Sequence, residues 1–425
     1  MNTHIWRAAT AALGIAIACV ARAGDMSPCD RPTVFEHASV QVFVLPYLAT
    51  GKLTAQGRAL ATIAQRHVLF AALKYPSIGV IELTGDAKDC TYQRIAQRVI
   101  SRLRKGQTAI FVWGRMFEQG DSIRLQSTVA FTKQGAVDTL TWDLGGDAGA
   151  ASASVPTTPI MFSPRQLPMH LLPRLEPAQR AARRLHREPG TNSPYFDLPG
   201  DPEARFSYEV LETRDDWMHI RLLPSRDQGW VPAHALLSGN ELKGTFPELY
   251  FVDALIGYYQ LWRQPALSES AQRRVLTSTR ASLDKYLLYA EGRAESDAHA
   301  LAMVLKGNAT LRGSGHGAWS TSVLQEAQAH YRKAQELAPA STVASNFYLA
   351  CSSALCARGA CTGGPDAVHQ QYLEAIGRDP TSAELVGNLE TFYSAAQIGS
   401  IRVSTPPEEI ARQKEQVREV QSKLE

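Results

Sequence analysis

Two nine-residue stretches near the end of the chain echo each other, and the echo narrows what its last 180 or so residues can become. YRKAQELAP at 331–339 returns as YLEAIGRDP at 372–380, so Tyr331, Ala334 and Pro339 are matched by Tyr372, Ala375 and Pro380 at an offset of 41 residues. A repeated helical unit cannot bury its apolar face alone, so neighbours must stack into a continuous core. Other segments extend the series. Leu305, Gly307 and Ala309 supply small, close-packed positions of one helix, ahead of Ala327 in the next. Leu249–Trp262 and Ser270–Glu291 form an earlier pair, with Leu283, Tyr286 and Leu287 on one side. Thr381–Ala396 opens a further unit, and Pro406–Leu424 reads as a charged closing helix. Arg358–Gly364, RGACTGG, is a glycine-rich loop between two of these helices.

The middle of the chain has a different period. In Phe206–Thr213 the apolar Phe206, Tyr208 and Val210 alternate with Ser207, Glu209 and Glu212, as in a strand with one buried face. Arg214-Asp215-Asp216 makes a polar hairpin turn, Trp217–Leu223 is the returning strand, and Asp227-Gln228-Gly229 turns the chain into Trp230-Val231. These strands predict a small β-barrel over residues 181–239. Large aromatics must fill such a barrel, since burying one Trp removes about 150–250 Å² from water. Trp217 and Trp230 therefore read first as core or groove-wall residues. Together with Tyr208 they are also the candidate binding residues, able to hold a proline-rich peptide or the face of a glycan.

The first part alternates strands and helices. Val40, Val42 and Val44 alternate with Gln41, Phe43 and Leu45 in a run suited to a central strand covered on both faces. Gly57–Leu73 and Thr91–Lys105 have helical spacing; Ile78–Leu83, Thr108–Trp113 and Ser122–Phe131 read as strands, the last two joined through Gly114 and the Gln119-Gly120-Asp121 turn. That order implies right-handed crossovers and a parallel or mixed sheet. Arg94, Arg98 and Arg102 form a stripe on the second helix, either a solvated face or a contact for an acidic partner or lipid headgroups. Gly145–Pro164, GGDAGAASASVPTTPIMFSP, is small, polar and proline-rich, and reads as a flexible linker. Arg165–Arg187 holds six arginines against Glu176 alone, which suits an exposed helix or a landing strip for anionic envelope polymers.

Residues 1–23 read as a secretory signal: a basic start at His4 and Arg7, an apolar run Ala8–Val20, and the A-x-A site Ala21-Arg22-Ala23. The run is short of the ~20 residues a spanning helix needs. Cys19 is a competing lipid acceptor, but the leucine usual three residues before such a cysteine is absent. Cleavage predicts a periplasmic or secreted chain of net charge near +1, because the full sequence carries +3 and the signal holds two arginines and no acid. A nucleic-acid binder would show a stronger basic excess.

Five cysteines remain after cleavage: Cys29, Cys90, Cys351, Cys356 and Cys361. An oxidising compartment favours disulfides. Cys29 and Cys90 are the natural pair in the first part. The other three lie within eleven residues, so one of them stays free or pairs elsewhere. Their spacing, with His369 downstream, does not match C-x2-C zinc patterns. No glycine spacing matches a nucleotide loop, and no cofactor or metal is expected. His67, His219, His234 and His316 are scattered among serines with no nucleophile elbow or paired carboxylates, so no catalytic site is expected.

Three resemblances follow from these stretches. VFVLPYLATGKLTAQGRALA, IGVIEL and AIFVWGRMFEQGDSIRLQSTVAF together resemble the amino-terminal domain of the TolB family of bacterial envelopes, on pattern and on the Val112–Arg115 (VWGR) hairpin. Val210, Asp216-Trp217, Ile220-Arg221 and Gly229-Trp230-Val231 resemble the signature of bacterial Src-homology-3-type domains, apart from the proline- and glycine-rich insertion Thr191–Glu203. The helical part resembles tetratricopeptide repeats, whose 34-residue unit would here carry about seven extra residues in RGACTGG. The resemblances imply a multidomain α+β chain: signal 1–23, α/β domain 24–145, linker and basic segment 146–180, barrel 181–239 and helical repeats 240–425. They imply a non-catalytic periplasmic scaffold that docks envelope proteins on the concave repeat surface and possesses a barrel for a peptide. The alternative is a peptidoglycan-associated accessory factor for cell-wall enzymes.

Overall fold

The computed structural model describes Cys29 and residues 32–424, apart from 50–52, 72–73, 76, 84–89, 134–137, 169–183, 198–206, 224, 233–246, 262–266, 292–295 and 316–318. The signal segment therefore lies outside the described residues. Strand β1 (Val40–Val44) runs parallel to β2 (Ile78–Glu82) on one side and β3 (Thr108–Gln119) on the other. Its two apolar faces are explained by two layers of helix. Val40, Val42 and Val44 pack into the core shared with helix α1 (Thr54–Ala71), while Phe43 and Leu45 pack with Ile95 and Val99 of α2 (Tyr92–Ile100). Gln41 is buried on the second face without penalty, because its amide accepts from the Phe35 N–H and donates to the Phe35 carbonyl.

β4 (Ser122–Lys133) pairs antiparallel with β3 along its whole length. The strand runs straight through Gly114, where a junction was expected; a Cβ there would collide with the Tyr47 ring and the Gln126 carbonyl. β5 (Asp138–Asp143) and β6 (Ala150–Val155) form a separate hairpin, after which β7 (Ile160–Met161) and β8 (Arg165–Pro168) return to pair with β4. The segment read as a flexible linker thus holds two strands. AASASV has too little apolar mass to signal a strand, yet Ala151, Ala153 and Val155 are buried because helices supply the mass from the other side.

β9 (Arg184–His186), β10 (Tyr195–Asp197), β11 (Ser207–Arg214), β12 (Trp217–Leu223) and β13 (Gln228–Pro232) are the strands expected to close a small barrel. Among the described residues there is no closed barrel. β11 instead pairs antiparallel with β2 at Tyr208↔Val80 and Glu209↔Gly79, producing one sheet ordered β10-β9-β13-β12-β11-β2-β1-β3-β4-β7. The physical cause is the open edge of β2: its unpaired N–H and C=O groups need a partner strand, and β11 satisfies them.

Eight helices follow among the described residues: α3 (Pro247–Leu261), α4 (Glu269–Ala290), α5 (Ser296–Gly313), α6 (Thr321–Leu337), α7 (Thr342–Ala357), α8 (Gly364–Arg378), α9 (Ala383–Gln397) and α10 (Pro407–Leu424). Serines 268, 320, 341 and 382 cap four of them by accepting from the N–H three residues on. Tyr331 of α6 and Tyr372 of α8, the two members of the sequence echo, are fully buried and bond Asn308 and Ser353 of the preceding odd-numbered helices. The odd-numbered helices form the layer that meets the sheet and hairpin, and α4, α6, α8 and α10 pack outside them. α3 is apolar around most of its circumference, and every one of its residues is buried between that array and the sheet. One continuous core consequently reaches from Val40 to Ile410.

The cysteines fall as two bridges and a remainder. Cys29 and Cys90 lie with Cα atoms 5.3 Å apart, Cys356 and Cys361 with theirs 4.5 Å apart, and Cys351 is free and buried. The second bridge staples the RGACTGG loop to the end of α7.

Candidate functional site

The register of the outer strands builds a row of side chains across the sheet. Tyr195 of β10 pairs with His186 of β9, His186 with Trp230 of β13, Trp230 with His219 of β12, and His219 with Glu212 of β11. Side chains opposite one another share a face, so these five stand on the same side of the sheet. Trp217 is on the next rung opposite Arg214. His219 stacks on Trp230 with ring centroids 5.1 Å apart, and Trp217 meets His186 edge-on at the same distance. Arg214 lies over Trp230 at 5.2 Å and Arg184 over Tyr195 at 4.6 Å, cation–π contacts at the rim. Burial pushes the His219 pKa down, against an opposing pull from Glu212, so its ring is neutral at pH 7.

The three residues singled out from the sequence divide between the faces. Trp217 and Trp230 share the outer face, whereas Tyr208 stands on the inner face with Val210, Ile220 and Leu222, against the main core. Exposure divides the outer face again: Trp230 is 6% exposed and is a wall, while Tyr195 at 47% is the open aromatic surface; Phe196 pairs with Leu185 and stands on the opposite face. The sequence reading missed Tyr195 and His186, and weighed His219 only among the scattered histidines. Only the pairing register brings them beside the tryptophans, and β9 and β10 are too short, at three residues each, to announce a period.

The inner layer of helices, expected to offer a concave docking surface, holds the chain's own hairpin. Asn388 of α9 accepts from the Ser152 N–H (2.7 Å) and donates to the Ser152 carbonyl (2.6 Å). Asn346 of α7 donates to the same carbonyl and to Glu384, which in turn accepts from the Ser154 N–H. Asn388 also donates to Asn346 at 2.6 Å, closing the network. These bonds read backbone rather than side chain, so a strand as featureless as AASASV is held.

Most of the buried charges join one element to another. Arg165 of β8 and Glu248 of α3 lie 2.7 Å apart, 7% and 1% exposed, as a charge pair without an aligned hydrogen bond. Ser127 of β4 donates to Glu248 at 2.6 Å and contacts the Tyr47 hydroxyl, whose pKa burial drives up. Asp138 of β5 meets Arg312 of α5 at 3.5 Å, and His67 of α1 meets Asp253 of α3 at 3.2 Å. Burial also pushes the Cys351 thiol well above its usual range, which makes it a poor nucleophile. His234 and His316 lie outside the described residues, and among the described residues no three metal-binding side chains converge.

The arginine stripe is likewise turned inward in part. Arg98 donates to the Cys29 carbonyl at 2.8 Å and Arg102 to the Pro32 carbonyl at 2.9 Å, fastening the preceding segment onto α2. Of the basic run, Arg165 is buried and Arg184 pairs with Asp197, while Arg174, Arg180 and Arg183 lie outside the described residues. No described helix is long and apolar enough to cross a membrane. Compared with known proteins, the chain matches no family, no curated protein and no solved structure.

Proposed function

We propose that the chain is a non-catalytic interaction scaffold of the bacterial cell envelope, acting in the periplasm, with tetratricopeptide-like helix pairs as its frame and the strands β9–β13 as an opened SH3-like docking module. The carrying observation is the aromatic row on the outer sheet face: Tyr195 is open to solvent and, with Trp217, flanks His186, while the helical groove is filled by β6. Docking is therefore assigned to the sheet face rather than to the concave helical surface. The two cysteine bridges suit an oxidising compartment.

The test is capture of envelope partners by the mature chain and by its Tyr195→Ala and Trp217→Ala variants, with melting curves to show that both fold. Specific partners should be lost from the variants. Partners retained by both would remove the sheet face from consideration.

A second reading is favoured by the shape of the same row. Flat rings beside paired guanidinium and carboxylate groups, Arg184 with Asp197 and Arg214 with Glu212, suit the face and hydroxyls of a sugar. Co-sedimentation with purified cell-wall sacculi, abolished by Trp217→Ala, would favour an accessory factor that touches peptidoglycan.

A further inference from the structure

A cavity of about 420 Å³ opens where the chain leaves the helical groove. One wall is a stripe of α5: Asp297, Ala300, Leu301 and Val304 at positions i, i+3, i+4 and i+7, which lie on one helix face. The segment Pro156–Met161 after β6 forms the opposite wall, and the first turn of α7, with Val343 and Ala344, closes one end. The volume falls within the range of small-ligand sites, which are mostly apolar with a few polar groups to set orientation.

Among the described residues its lining holds a single formal charge, the exposed carboxylate of Asp297, and no ion pair to it. The starts of α5 and α7 are also nearby. A helix start carries roughly half a positive charge, so the two starts together offset about one charge, and the Ser341 side chain already occupies one N–H of α7. A cation would be held by direct contact with the exposed Asp297 oxygens rather than by a net field. The stripe from Asp297 to Val304 is about 10 Å long at 1.5 Å per residue.

We infer that this cavity binds a small organic cation with an apolar body, its ammonium group on Asp297 and its aliphatic part along Leu301 and Val304. The site is separate from the outer sheet face, and its success or failure leaves the scaffold reading untouched.

Three probes with the same six-carbon chain test it by calorimetric titration of the intact chain: n-hexylammonium, hexanol and hexanoate. The amine should bind saturably, with a dissociation constant on the order of a millimolar. It should outbind hexanol by about five-fold, the effect of one partly exposed charge pair. In Asp297→Asn that preference should fall to nothing while hexanol binding is unchanged. Val343→Trp, or Thr158→Phe on the exposed wall should the first variant melt early, should abolish binding of both. Equal binding of amine and alcohol, tighter binding of hexanoate, no saturable binding, or a preference that survives Asp297→Asn would each overturn the inference.

Discussion

Replacing Gly307 with alanine places a methyl group where the Tyr331 ring lies. Alanine is the better helix former by about 1 kcal/mol, but the ring is fully buried and its hydroxyl is held by Asn308, so it cannot swing away freely. Gly307→Ala should destabilise the chain by about 1–3 kcal/mol, the usual cost of overpacking, seen as a lower denaturant midpoint; an unchanged midpoint would show that Tyr331 can yield. Arg165 and Glu248 give a second residue-scale prediction. Arg165→Met leaves a buried carboxylate uncompensated and should cost about 3–5 kcal/mol, whereas Arg165→Met with Glu248→Leu should recover most of it. Equal loss in the single and double variants would mean that packing, not charge, dominates.

At the scale of elements, the β5–β6 hairpin is held by three side chains of α7 and α9. Asn388→Ala removes both bonds to the Ser152 backbone and leaves buried polar groups unpaired, at about 1–3 kcal/mol. Amide exchange in Ala150–Val155 should accelerate ahead of exchange in β3 and β4; uniform acceleration would mean that the hairpin does not open by itself. The helix pairs carry a pH dependence too. Burial lowers the pKa of His369 on α8, which contacts the Tyr393 hydroxyl of α9, and Asp366 opposes the shift. His219 and His330 are lowered for the same reason, with Lys306 and Arg280 adding to the shift at His330. A lowered folded-state pKa means that the unfolded chain binds the proton more readily, so acid favours unfolding. Stability should be flat in pH above the unfolded histidine value, about 6.5, and fall as pH drops through the folded values. His369→Asn should flatten part of that fall in thermal midpoint. An unaltered slope would assign it to other groups.

Across the whole molecule, one face of the sheet, the hairpin, α1 and the carboxy-terminal helices share one core, α2 closes a smaller one on the other face, and α3 is buried on every side at the junction. Cutting before residue 240 would expose the face of α3 that meets α1, β1 and β3. The intact chain should therefore unfold in a single calorimetric transition, and a fragment of residues 240–425 should aggregate or melt well below it. A fragment that keeps its helices and its melting temperature would show that the shared core adds nothing to the array.

Local chemistry was enough to read much of this from the sequence. Tyr331 and Tyr372 occupy matched buried positions, β1 is apolar on both faces because helices cover both, and Cys29 had one neighbour to pair with in the first part. Each of those signals lies within a few residues of what it specifies, or follows from compartment chemistry. The tertiary structure alone decided the joins: β11 on β2, AASASV in the groove of α7 and α9, Arg98 on the Cys29 carbonyl, and Tyr195 beside His186. Apart from the short β9–β10 pairing, such contacts form between segments far apart in the chain through backbone groups that every residue carries, so composition and period leave no local mark of them.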